Sequence, residues 1–186
     1  MQDRTANTAL EDQFFVDSGV TYDSTAATTI TGLTHLNGKT VSILADGIVL
    51  AQQVVASGQI TLATAASTVQ VGLPYNADFE SLNVEIKTKT VPTIQSMRVK
   101  IPTVVIKVIN SQGGKVGVSS SDLRALNYDA IVGYSSTALY TGDVPATLGG
   151  GYGNDGKIFI RQSDPLPITV TTLVPKVVVG GTTQVL

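Results

Sequence analysis

Residues 31–75, TGLTHLNGKTVSILADGIVLAQQVVASGQITLATAASTVQVGLPY, leave this chain little freedom in what it can become. Three turn signals, Asn37-Gly38, Asp46-Gly47 and Ser57-Gly58, recur about every ten residues. Asn, Asp and Gly tolerate the positive φ that tight two-residue turns demand, so such pairs between alternating apolar runs read as hairpins. The runs between them do alternate. Val41, Ile43 and Ala45 form one set, Ile60 and Leu62 a second, Val69 and Val71 a third. A period of two places each set on one face of a strand. Pro74 closes the stretch, because proline has no N–H to give to a ladder. The expectation is a small hairpin-built β-domain over residues 31–75.

The rest of the 186-residue chain favours Val, Thr, Ile and Gly over helix formers. These residues suit pleated strands and tight turns, so the fold class expected is all-β. Residues 1–30 read as a polar N-terminal arm followed by a first strand, FFVDSGVTY (residues 14–22), kinked at Ser18-Gly19. Residues 23–29 read as a connector. Residues 76–186 read as a β-sandwich-like domain. Its first strand, with Phe79, Leu82, Val84 and Ile86 as apolar set, is expected to lie beside residues 14–22. That pairing makes the hairpin domain an insert before or within the sandwich-like unit. Residues 87–96 fit either a helical turn near Pro92 or an edge segment guarded by Lys and Pro. Residues 97–110 form the longest strand candidate, and Pro102 inside it implies an edge or a bulge. Gln112-Gly113-Gly114 reads as a turn into a return strand. Residues 122–126 read as a helical turn capped by Ser120 or Ser121, or as a loop. Asn154-Asp155-Gly156 reads as a hairpin turn launching a strand from Lys157 to Arg161, and residues 168–179 as a last strand interrupted by Pro175.

Composition excludes several functions. Charged residues make up 14% of the chain, against about 25% in ordinary soluble domains. Low charge is what buried subunit contacts need. The formal net charge is −2, which argues against nucleic acid as a sequence-specific partner. There is no cysteine and one histidine, too few for a zinc site, and His35 reads as a turn residue. No metal and no cofactor is expected. No apolar run approaches the ~18 residues of a membrane-crossing helix, and the N-terminus has no signal-peptide core. Carboxylates that could pair for acid–base work are Asp17, Asp23, Asp78 and Glu80, with turn capping the plainer reading for the first two. Asp143, Asp155 and Asp164 sit beside Gly or Pro and read as turn formers. The run GGGYG at 149–153 lacks the strand-before and helix-after context of a phosphate loop. An enzyme is not expected. Tyr128, Tyr134, Tyr140 and Tyr152 fall in loop-like segments. They are the candidate contact surface, with packing of the rings over a sheet edge the alternative.

The order of phrases adds a further expectation. FFVDSGVTYD, TGLTHLNGKTVSILADG, QITL, VQVGLPY, GGKVGV, YTGD, GGGYGNDGKIFIRQSDPLPITV and VPKV together resemble the C-terminal part of tail nozzle proteins of short-tailed bacteriophages, also called tail tubular protein B or stabilisation proteins. The resemblance runs over residues 12–179. It implies a virion structural protein in a ring, commonly sixfold, at the distal end of the tail, where DNA is ejected. It implies homo-oligomerisation, contact with other tail proteins, and no catalytic residues. Such proteins are longer, with a β-rich region ahead of the matched part, so the chain reads as an excised domain, a split gene product or a short variant. A receptor- or glycan-binding module at the tail tip, in contact with the host surface and built on Tyr140, Tyr152 and Gly149 to Gly151, is the competing expectation.

Overall fold

A computed structural model describes residues 9–86, 93–94, 97–129, 131, 134–136 and 138–180. Among them the chain is all-β, with eleven strands in three antiparallel sheets and a single 3-10 turn, Thr34–Leu36. The first sheet has the order β1-β4-β2-β3, built from β1 (Asp17–Ile30), β2 (Thr40–Ala45), β3 (Ile48–Val54) and β4 (Ile60–Leu73). The second has the order β5-β10-β7-β8, from β5 (Ala77–Glu80), β7 (Lys115–Gly117), β8 (Leu123–Ala125) and β10 (Phe159–Gln162). The third, β11-β6-β9, uses β6 (Arg98–Ser111), β9 (Tyr140–Thr147) and β11 (Val170–Gly180).

Turn chemistry shapes the first unit. Asp46 and Gly47 both take positive φ, 45° and 78°, and join β2 to β3 in a two-residue hairpin. Ser57 and Gly58 do the same at 52° and 70°. They lead from β3, on the sheet edge, across the end of β2 to β4. At Asn37-Gly38 the geometry is different: Asn37 sits at φ −57°, ψ 130°, and Gly38 at φ 76°. That is a type II turn, closed by Lys39 N–H donating to Leu36 O at 2.9 Å, and it introduces β2 after the 3-10 turn. Val41, Ile43, Ala45, Ile60, Leu62, Val69 and Val71 all enter one core, capped by Leu33 and Leu36.

The first strand departs from expectation. Residues 14–22 do not pair with the strand after residue 76. The strand begins at Asp17, continues through the supposed connector to Ile30, and pairs with β4. Thus the first unit begins near residue 17 rather than 31, and β5 pairs with β10 instead. The Ser18-Gly19 kink is present as a bulge: Asp17 opposes Leu73 and Val20 opposes Val71, so two residues face one. A side chain on Gly72 would sit 2.7 Å from the Gly19 backbone. The two glycines let the strands close at the bulge.

Both sheets of the second unit contribute to one core, with Ile101, Val104, Ile106 and Val108 of β6, Val116 of β7, Val144 of β9 and Ile160 of β10. Pro102 lies in a bulge, not at an edge. Thr103 opposes Lys176 and Lys100 opposes Val178, so Ile101 and Pro102 together face one residue of β11. The extra residue changes the phase of the alternation, and Val99 and Ile101 before it and Val104, Ile106 and Val108 after it all point inward. Gln112-Gly113-Gly114 crosses to the facing sheet rather than returning along β6. Residues 123–125 form a strand, β8, not a helical turn. Asn154-Asp155-Gly156 is no hairpin, because the strand before it, β9, belongs to the other sheet. β11 runs through Pro175 unbroken, as an edge strand can. The expected turn near Pro92 falls outside the described residues.

The units meet at a small joint. Leu10 clusters with Leu44 of β2 and Leu166 of the loop after β10, with all three buried. Gln70 accepts from Thr21 Oγ1 at 2.5 Å and donates to Glu11 O at 3.4 Å.

Candidate functional site: the open edge of the sandwich

Three of the four candidate tyrosines come together, but as packing. Tyr128 stacks on Tyr134 at 5.4 Å between ring centroids, and Tyr140 meets both edge-on at 5.9 and 6.4 Å. Tyr128 is 4% exposed, and its hydroxyl donates to Gly113 O at 2.9 Å. Burial, reinforced by the neighbouring phenols, pushes its pKa well above the tyrosine range. It therefore forms no contact surface. Tyr134 and Tyr140 are half-buried beside it. Tyr152 is exposed and apart from them, its ring against Gly180. Gly149 and Gly150 pack close to the β7–β8 hairpin, where a side chain on Gly149 would collide with the Asp122 carboxylate, while Gly151 faces open space.

The carboxylates are engaged one by one. Asp17 accepts from Ser18 N–H at 2.8 Å, a local turn contact. Asp23 is a strand residue opposite Thr68, not a turn cap. Asp78 takes both arms of Arg161 at 2.7 Å, and that hydrogen-bonded pair holds its carboxyl below the usual range. Glu80 pairs with Lys157 at 2.7 Å. Asp143 is in β9, opposite and 3.4 Å from Lys107, rather than in a turn. His35 donates from Nε2 to Ser18 O at 2.8 Å, tying the 3-10 turn to the β1 bulge. Among the described residues no three His, Cys, Asp or Glu side chains gather as a metal site would need.

A further surface feature was not singled out in the sequence. Where β5 and β11 end their sheets, the sandwich is open, and a cleft of about 490 Å³ runs between them. Its walls are Ala77, Phe79, Ile160, Ile168, Val170 and Leu173, with Asp78, Thr171 and Thr172 at hand. Phe79 is 52% exposed, and along the same edge Val174 and Val178 are exposed too. Two of the polar groups at the rim are already paired: Asp78 with Arg161, and Thr171 donating to Lys107 O. Apolar walls beside two strands that, among the described residues, end their sheets can receive an extended segment, with main-chain bonds supplying affinity and side-chain pockets specificity. The sequence signal was the charge-poor run VTTLVPKVVVG, which contains a single Lys.

Compared with known proteins, the chain matches no family model and no curated sequence.

Proposed function

We propose that the chain is a structural, non-catalytic component of a short-tailed phage tail, part of the nozzle ring through which DNA leaves. It works by association with copies of itself and with other tail proteins. The observation that carries this reading is the exposed, charge-poor strand edge on each unit, Ile48–Val54 without a charge on one and Val170–Gly180 with a single Lys on the other. Edges of this kind are hazards for a free monomer and assets for an assembly subunit. The order of phrases resembling tail nozzle proteins supports the virion setting. Association free energy comes from apolar burial at about 25 cal/mol per Å², less the cost of ordering. The test is mass in solution by light scattering across a concentration series, at low and physiological salt. A closed oligomer such as a hexamer is expected. A monomer throughout, with retention on host-surface glycan, would overturn this reading in favour of a tip-binding module.

A further inference from the structure

Six strands end the three sheets: β1, β3, β5, β8, β9 and β11. Five carry the usual guards against edge-to-edge pairing. β1 has Asp17 and Asp23, β9 has Asp143 and Pro145, and β11 has Pro175 and Lys176. β5 is four residues long with Asp78 and Glu80, and β8 is three residues with Arg124. The sixth is β3, IVLAQQV, which has neither a charge nor a proline. Ile48 and Val54 at its ends are 56% and 59% exposed. Among the described residues β3 pairs only with β2, and β11 only with β6.

Resting on the reading of the chain as a self-associating subunit, we infer that β3 of one copy adds to the β11 edge of the next and fills the cleft between β11 and β5. The match is one of charge and shape. The acid at the cleft rim is neutralised by Arg161, so an occupant gains nothing from a charge and loses by burying one. β3 is the strand that brings none. β3 pairs along Val170–Val174, the part of β11 that flanks the cleft and lies ahead of the guards Pro175 and Lys176, and alternate side chains of an added strand point into the cleft. The two surfaces belong to different units of the chain, so the contact is head-to-tail. Contacts of that type close into rings when the rotation between copies permits.

Two blocked variants test this. Ile48→Lys with Val54→Lys blocks β3, and Val174→Lys with Val178→Lys blocks β11. Each alone is expected to stay monomeric at concentrations roughly a hundredfold above those at which the unaltered chain assembles. An equimolar mixture is expected to stop at a dimer, since one intact contact remains. Blocked variants that assemble like the unaltered chain would overturn the inference while leaving self-association standing. An unaltered chain that never assembles would overturn both. Because the chain has no cysteine, a second measurement is independent of how the lysine variants fold. Val54→Cys combined with Val174→Cys should cross-link copies on oxidation into dimers and larger species, and neither substitution alone should. Cross-linking by either single variant would mean a two-fold contact and overturn the head-to-tail arrangement.

Discussion

The two units solve the same problem with opposite use of the chain. In the first, one continuous stretch, residues 17–73, makes all four strands, and two-residue turns deliver β3 and β4. In the second, β5 must find β10 across a gap of 83 residues, measured at the Asp78–Arg161 pair. β6 must also find β11. Loop closure over such distances costs entropy before any contact repays it. The first core is capped by Leu33 and Leu36 and includes many side chains with essentially no exposure. The second stays open along β5 and β11. A unit written locally closes its own core; one assembled from distant pieces leaves a cleft between its sheets.

The sharpest way to break this contrast is to empty one core at a time. Ile43→Ala and Ile106→Ala each remove a fully buried side chain and should cost about 2–5 kcal/mol in the unit concerned. Since the joint is small beside either core, the units are expected to unfold in separate transitions. The cluster of Tyr128, Tyr134 and Tyr140 gives the second unit its own near-ultraviolet signal in a chain without tryptophan. That signal should melt early in Ile106→Ala and hold in Ile43→Ala. A common shift in both variants would show one cooperative body.

Gly72→Ala comes next, at about 1–3 kcal/mol, because its Cβ would press on the Gly19 backbone and on Val16 and unseat the β1 bulge. Urea melts should show the loss in the first unit alone. Tyr128→Phe should cost about 1–2 kcal/mol in the second, by leaving Gly113 O without its donor. The smallest effect is a pH dependence. Asp46 accepts from Thr68 N–H and from the Ser67 N–H and hydroxyl, and the Thr68 bond foremost lowers its pKa. A lowered folded-state pKa contributes stability that is present above the unfolded carboxyl value and is lost as pH falls through the folded one. Asp46→Asn keeps a residue suited to the turn and should flatten that acid limb for the first unit. An unchanged acid limb in thermal melts from pH 5 to pH 2 would remove Asp46 from the account.

What could be read in advance follows the same division. The Asp46-Gly47 and Ser57-Gly58 turns, the Ser18-Gly19 kink and the bulge at Pro102 were legible, because positive φ and a missing N–H are demands that few residues meet. The continuation of β1 through DSTAATT was not, since small polar residues carry no alternation. Its partner was not legible either, since pairing depends on what faces it rather than on its own composition. The tyrosines showed irregular spacing and nothing of their burial. The open cleft had only an indirect mark, the shortage of charge in β3 and β11, and that mark does not say which faces remain uncovered.

Leu10 has a consequence of another kind. It packs in one small cluster with Leu44 of the first unit and Leu166 of the second, outside both main cores. Such a side chain works as a shim. A bulkier or slimmer residue there would alter the tilt of one unit against the other while leaving each interior intact. Under the head-to-tail contact proposed above, that tilt would set the curvature of the string. One interchangeable leucine would then be a dial for the circumference of such an assembly.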